Sequence, residues 1–320
     1  MQKIFITGIT GQDGVFLTSK LLKDKKVKVY GSSRKFNNSS FYKKLEKLNI
    51  GSDENLFISK LNLLNVDELS KFIEDIKPDA IVNLSGPSSV YKSLGDEGKS
   101  HDEIVSIFDN IIEAVKINSL NPTIFQASSS EMFKSSDLGI FDESSELEGL
   151  TPYAEAKVSN HKKSINLNEN DGWKIHSGIM FNHESEFRDE AYLIMQIINS
   201  AKKIIRDKGG TFNIGSMDLI RDWSFAGDIS EAILKIITEG KSNSYVIGSG
   251  IGTSVKKVVE IIFKYFDLEY EEFLVLDPSL NREKNTYKIV SNPLKIKQEL
   301  NWKSIMSIED LVVRCIEKKL

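Results

Sequence analysis

The stretch KIFITGITGQDG, residues 3–14, decides the fold. Residues 3–7 form a short apolar run of strand type. Gly8, Gly11 and Gly14 then recur at every third position, with Ile9, Thr10, Gln12 and Asp13 between them. Residues without Cβ permit a tight turn and close backbone approach to a pyrophosphate. An amphipathic run at 14–25 follows, and a helix N-terminus presents free N–H groups and a positive dipole end to phosphates. A glycine motif alone is a weak signal; a strand before it and a helix after it supply the context it needs. Gly8, Thr10, Gly11, Gln12, Asp13 and Gly14 are therefore read as a phosphate-binding turn.

The pattern continues outward from this turn. Further strand-like runs lie at 28–31, 56–61, 80–84, 123–127 and 175–181, with helical runs at 40–48, 66–76, 104–117 and 153–167 between them. Strands alternating with helices of ten or so residues imply βαβ units and a parallel sheet. Right-handed crossovers then put helices on both faces. The expected class is α/β, a doubly wound parallel sheet with a smaller C-terminal substrate-binding lobe. Residues 1–175, with 218–247 returning, are assigned to the dinucleotide-binding part, and 176–217 with 248–320 to the lobe. In the second half, helices are expected at 191–206, 228–238 (capped by Asp228), 254–266 (capped by Thr253 or Ser254) and 308–319. Short strands are expected at 211–214 and 245–247.

Bulk composition narrows the class. The 320 residues are 40% hydrophobic and 28% charged, with a net charge of −4, so the chain reads as an ordinary globular protein. No basic run points to a nucleic-acid partner. The single cysteine, Cys315, cannot form an internal disulfide and reads as a buried helix residue. The four histidines show no metal-ligand spacing, so no metal is expected. The N-terminus is a strand and a turn rather than a signal peptide, and no apolar run reaches the roughly 20 residues of a membrane helix. The expectation is a cytoplasmic protein without a membrane partner.

The second strand ends in Ser32, Ser33, Arg34 and Lys35. An acidic residue here would accept from a ribose 2′-hydroxyl; cations instead suit a 2′-phosphate. NADP is thus favoured over NAD as cofactor, with Arg34 a contact.

Tyr153 and Lys157 form a YxxxK pair, four residues apart on one helix face. A nearby cation lowers a phenol's pKa and lets it act as a base towards a hydroxyl. By itself YxxxK is common. Upstream, however, the strand at 123–127 runs into Ser128, Ser129, Ser130 and Glu131, and ligands bind beyond the carboxyl ends of strands in such sheets. The combination is far more specific than either part.

These pieces together resemble the extended short-chain dehydrogenases, and within them the GDP-mannose 4,6-dehydratase family. The matching segments are ITGITGQDG (6–14), QASSSEMF (126–133), TPYAEAK (151–157), GIMFNHES (178–185), RDW (221–223) and LNWK (300–303), spread over almost the whole chain in family order. The resemblance implies that Ser129 hydrogen-bonds the sugar's 4-hydroxyl and that Tyr153 takes its proton as hydride leaves C4 for NADP. Lys157 would hold the nicotinamide ribose and tune Tyr153. Glu131 would remove the C5 proton and assist loss of the C6 hydroxyl, after which hydride returns to C6. The resemblance also implies cofactor contacts at Asn62, Leu63, Leu84 and His183. Substrate contacts would lie at Ser85, Asn182, Arg188, Arg221 (on the diphosphate) and Arg282. His183 itself reads as packed or hydrogen-bonded beside Asn182 rather than catalytic, and Trp223 and Trp302 read as core. The nucleotide-sugar enzymes of this kind pair through two helices, here 104–117 and 153–167, implying a homodimer or homotetramer.

The chain departs from the family at several places. Asn62 stands where an Asp contacts the adenine, the loop 83–90 lacks larger polar groups, and Phe225 replaces a His. An NADP(H)-dependent sugar-nucleotide 4-reductase, 4-dehydrogenase or epimerase would share Ser129, Tyr153 and Lys157 but need no carboxylate to eliminate water. A silent nucleotide-binding protein would have no need of a tuned phenol.

Overall fold

The computed structural model describes residues 1–34, 38–86, 97–280 and 287–317. Lys35, the loop residues 87–90, Arg282 and the end of the expected C-terminal helix at Lys319 lie outside the described residues.

Seven strands form one all-parallel sheet. They are β1 (Gln2–Thr7), β2 (Val27–Ser33), β3 (Leu56–Lys60), β4 (Ala80–Asn83), β5 (Thr123–Ser129), β7 (Ile175–Met180) and β11 (Ser244–Ile247). β6 (Ile140–Phe141) and the strands between β7 and β11 lie elsewhere. The order is β11-β7-β5-β4-β1-β2-β3, so the chain reverses direction of travel between β1 and β4. That is the doubly wound arrangement, with its ligand crevice at the switch point. Apart from the edge strand β3, the strands are largely buried on both faces, which is why they read as near-continuous apolar runs rather than alternating ones.

Two helical layers cover the sheet. On one side Phe5, Ile81, Ile124 and Ile175 pack against α3 (Val66–Ile76) and α4 (Glu97–Ile117). On the other side Ile4, Ile6, Val82 and Phe125 pack with α1 (Gln12–Leu21) and α7 (Ala226–Glu239). α2 (Ser39–Lys47) and α5 (Pro152–Asp171) complete the layers. Local chemistry fixes the helix ends. Asn65 caps α3 by accepting from the N–H groups of Asp67 and Glu68, and Thr151 caps α5 by accepting from Ala154, with Pro152 in the first turn. Gly172, at φ 68°, closes α5 in the left-handed conformation.

The remaining strands build the lobe. β10 (Ile220–Phe225) pairs with β8 (Asn182–Glu184), β12 (Gly252–Ser254) and β14 (Lys288–Ser291), and β14 pairs with β6. β9 (Phe212–Ile214) pairs with β13 (Leu274–Leu276). Helices α6 (Leu193–Asp207), α8 (Val255–Tyr265) and α10 (Ile308–Ile316) pack against these strands, and α9 (Leu294–Leu300) packs against β11 and α7. Ser254 rather than Thr253 caps α8, accepting from Lys257. Cys315 is buried in α10, and Trp223 and Trp302 are core residues. Among the described residues no helix is long and apolar enough to cross a membrane.

Asp228 departs from its expected role. α7 begins two residues earlier, at Ala226, because β10 runs into it without a loop, and Phe225 occupies the cap position. The Asp228 carboxylate instead accepts from Ser304 Oγ (3.1 Å), Ile305 N (2.7 Å) and Met306 N (3.0 Å), and its carbonyl accepts from Trp302 Nε1 (3.0 Å). It fastens the C-terminal segment to α7. Asp228→Ala leaves three donors without their acceptor, and the unfolding free energy in urea should fall by about 2–3 kcal/mol.

Candidate active site

Every group of the expected phosphate turn sits where β1 meets α1. Gly8 has φ +67°, and a Cβ there would lie 2.8 Å from the Leu84 carbonyl oxygen. A Cβ on Gly14 would lie 2.3 Å from the Ile9 carbonyl oxygen. Both positions therefore need glycine, and Leu84 contributes backbone rather than side chain to the turn. Thr10 lies half-buried in the turn, and Gly11 is the cap residue of α1, with no side chain capping the helix. The first-turn N–H groups of α1 are thus not taken by a side chain, and the cradle fits a phosphate.

The side chains of Gln12 and Asp13 turn elsewhere. Gln12 Nε2 donates to the His183 carbonyl (3.0 Å), and Ser185 Oγ donates to Gln12 Oε1 (2.9 Å). His183 Nε2 lies 3.1 Å from Asp13 Oδ2. The turn is thereby tied to the segment that carries Asn182, which is half-buried on β8, and Arg188.

The expected catalytic residues converge. β5 ends at Ser129, whose Oγ accepts from Glu131 N (3.2 Å) at the start of a one-turn 3₁₀ helix, Ser130–Met132. Thr151 and Pro152 start α5, so Tyr153 and Lys157 occupy its first two turns. Ser129 shares a hydrogen bond with the Tyr153 phenol, and Glu131, Tyr192 and Arg188 all act on that phenol by charge. Arg188 lies 3.1 Å from Glu184 and stacks 3.4 Å above the Tyr192 ring. Lys157 Nζ is 5.6 Å from the centre of the Tyr153 ring.

The electrostatics differ from the simple expectation of a cation tuning a phenol. Burial pushes Tyr153 up to about 12; the Ser129 hydrogen bond and Arg188 pull it down, while Glu131 and Tyr192 push it up. Burial pushes Lys157 down to about 8. Its ammonium donates to the Ala127 carbonyl (2.8 Å), which anchors it to the backbone of β5.

That carbonyl ends a buried polar row to which the sequence reading assigned no role. Thr7, Asn83 and Gln126 stand in register on β1, β4 and β5. Thr7 Oγ1 donates to Asn83 Oδ1 (2.7 Å), Asn83 Nδ2 to Gln126 Oε1 (2.8 Å), and Gln126 Nε2 to the Ala127 carbonyl (3.2 Å). Their signal was a polar residue at or near the C-terminal end of each apolar run. Tyr192 was missed too, because an aromatic before an amphipathic helix carries no mark of its own.

The other assigned residues lie around this centre. Ser85 N is 3.3 Å from both Thr7 Oγ1 and Asn83 Oδ1. Asn62 Oδ1 accepts from Leu64 N, and the Leu63 carbonyl accepts from Asn110 of α4 (2.9 Å). Arg34, at the end of β2, is 88% exposed and 3.4 Å from Glu103. Arg221 Nη1 donates to the carbonyls of Ile220 (2.9 Å) and Tyr287 (3.3 Å), where β10 meets β14.

Residues 5–315 match a family model described as GDP-mannose 4,6 dehydratase. GDP-mannose 4,6 dehydratase 2 of Arabidopsis thaliana is 29% identical over 98% of this chain and 86% of its own length. The chain also resembles the dTDP-glucose 4,6-dehydratase of Bacillus anthracis in complex with NAD (TM-score 0.84, 19% identity, 99% of this chain and 96% of that one). It resembles RMD of Pseudomonas aeruginosa complexed with NADPH as well (TM-score 0.79, 17% identity, 99% of each chain).

Lys157 gives a test of the site's electrostatics. The folded chain binds this proton less tightly than the unfolded one, so the charged form opposes folding below pH about 8. That opposition fades as pH rises from about 8 towards the ordinary value of 10.5. Without cofactor, Lys157→Met should unfold at higher urea than the parent at pH 7, by up to about 3 kcal/mol. The gap should narrow as pH climbs through 8 and beyond; a gap that ignores pH refutes the assignment.

Proposed function

This chain belongs to the GDP-mannose 4,6-dehydratase family, and from that premise we propose that it converts GDP-mannose, or a close relative, to the 4-keto-6-deoxy sugar nucleotide. The observation that carries this reading is the carboxylate Glu131 acting on the same phenol that Ser129 hydrogen-bonds. A reductase or epimerase needs the Ser129–Tyr153–Lys157 set alone; elimination of water needs an acid and base besides.

NADP bound at the turn would accept hydride from C4, return it to C6, and place a positive ring near the phenol. Ser129 holds the sugar's 4-hydroxyl, and Tyr153 takes its proton. The Ser129 hydrogen bond and the Arg188 charge favour the phenolate that this step requires. With C4 a ketone, the C5 hydrogen is acidic. Glu131 removes it and delivers a proton to the departing C6 oxygen, so one water leaves; when hydride returns to C6, C5 takes up the proton that Tyr153 had accepted, and no net redox change remains. Lys157 holds the nicotinamide ribose.

The turn residues 8–14, with Leu84, Asn62, Leu63 and His183, complete the cofactor site. Arg34 is the reason to prefer NADP over NAD. Its exposed pairing with Glu103 is worth little, of order 0–1 kcal/mol, and yields readily to a 2′-phosphate. Ser85, Asn182 and Arg188 are assigned to the substrate, Arg221 to its diphosphate, which suits guanidinium geometry, and Arg282 to its nucleotide. The chain is proposed to pair through α4 and α5 into a homodimer or homotetramer and to work in the cytoplasm. A monomer by light scattering would overturn the pairing.

Incubation with GDP-mannose and catalytic NADP should give a sugar nucleotide lighter by one water, by mass spectrometry, with no lasting change in nicotinamide absorbance. Glu131→Gln should lower kcat by about 10²–10⁴ while cofactor still binds. Net formation of NADPH with no loss of water would instead establish a dehydrogenase.

A further inference from the structure

Asp13 and His183 belong to different layers of the protein, yet they meet in its interior. Asp13 is in the first turn of α1, and His183 is the middle residue of β8. Both His183 ring nitrogens face acceptors: Nδ1 lies 2.7 Å from the Phe181 carbonyl, and Nε2 lies 3.1 Å from Asp13 Oδ2. A neutral imidazole carries one N–H and one lone pair, so it can satisfy only one of these contacts. The other would set a lone pair against an oxygen. With the Asp13 carboxyl held in its ionised form by His183 and Arg188 against the push of burial, both contacts are hydrogen bonds only if the ring is an imidazolium. The His183 side chain is 11% exposed and the Asp13 side chain 18% exposed, so the charges are partly withdrawn from water.

The consequence lies in what the clamp holds. β8 carries Asn182 before His183, and Ser185 and Arg188 follow it. Gln12 grips the same segment through the His183 carbonyl and Ser185 Oγ, and Ser185 Oγ in turn accepts from Phe187 N (3.1 Å). Two consecutive side chains of the phosphate turn therefore fix the wall that bears Asn182 and Arg188.

We propose that Asp13 is a positioning residue that, through a charged His183, holds the Asn182–Arg188 wall in place for the sugar nucleotide, so that substrate affinity weakens as His183 loses its proton. The proposal rests on the reading of that wall as a substrate contact. From α1 the charged group facing His183 is Asp13; from its own segment Arg188 and Glu184 act on it; its register partner on β10 is Ser224, which is uncharged. Burial works against the imidazolium, and Arg188 does too. The charge and hydrogen bond of Asp13 outweigh them and hold His183 above its ordinary value. Burial likewise pushes the Asp13 carboxyl up, and His183 and Arg188 hold it below the ordinary range.

The sign follows. His183 binds its proton more tightly in the folded protein, so the clamp is intact at low pH and is lost as pH rises through the folded value. Deprotonation leaves one ring contact unsatisfied and loosens the wall. KM for the sugar nucleotide should rise across that titration.

Two measurements test this on the whole protein. The chain has four histidines, and NMR titration of their ring protons, with the His183 signal assigned from its absence in His183→Gln, reads the clamp without any turnover. His183 should titrate above 6.5, the ordinary value, and Asp13→Asn should move it down. In steady-state assays with GDP-mannose, KM should rise about tenfold through the same pH window, because a displaced wall weakens binding. Asp13→Asn should bring that rise to lower pH, and His183→Gln should show a KM flat in pH. Titration of His183 at or below 6.5, no response to Asp13→Asn, or a KM indifferent to the titration would each overturn the proposal. Should GDP-mannose not be turned over, the dehydratase reading fails while the NMR arm still decides the clamp. The wall is then tested by calorimetric binding of GDP-mannose over the same pH range, where unchanged affinity sinks it.

Discussion

Three central strands, β1, β4 and β5, run parallel and in register, and they bring Thr7, Asn83 and Gln126 side by side, the first two at their strand ends and Gln126 three residues before the end of β5. Parallel pairing forces these residues onto one face, and burial forces their polar atoms to find one another. The result is an unbroken run of hydrogen bonds to the Ala127 carbonyl, which also receives Lys157. Each amide would be costly if left unpaired in so dry a place. Satisfied, the row fixes the height of the strand ends to within a hydrogen bond. The glycine turn leaves β1 at one end of that row, and β5 runs on into Ser129 and Glu131 at the other.

Around this frame the site gathers groups that folding alone would not select. Lys157 is buried with its proton affinity lowered, and Tyr153 is buried with its proton held tightly. Glu184 is buried too; burial pushes its carboxyl up, with Arg188 and His183 acting against that push. A buried charge is tolerated only where partners are close and well aimed, and perturbed groups of this kind concentrate at functional sites. The lobe supplies the opposing half. β8 joins β10, and the Asp13 and Gln12 side chains bind β8 back to the phosphate turn. The fold is similar to that of the dTDP-glucose 4,6-dehydratase of Bacillus anthracis, and the match over residues 5–315 places the chain in the GDP-mannose 4,6-dehydratase family.

Much of this was legible in the sequence because it depends on local or periodic signals. All seven strands of the main sheet, and the helices between the first six of them, follow from apolar runs of contrasting period. The glycine turn, the Ser129 and Glu131 strand end, and the YxxxK pair carry chemistry in residues adjacent along the chain. The strands β6, β8, β10, β12 and β14 were not read as strands. They are two to six residues long and mix polar with apolar positions, and their pairing partners are distant in sequence.

Sequence alone determined the fold class, the turn and the identity of the residues at the strand ends. Tertiary structure alone decided how those residues spend their charges. Asp228 looked like a helix cap, and instead it binds residues 302–306. Asp13 and Gln12 looked like phosphate-turn residues, yet their side chains face β8, about 170 residues away, because helix α1 turns them there. Lys157 looked like the tuner of Tyr153, and its ammonium is held by the Ala127 carbonyl. The physical reason is common to all three. A motif specifies which groups are present, but a pKa or a hydrogen bond depends on burial and on the nearest opposite charge, and both are set by distant parts of the chain.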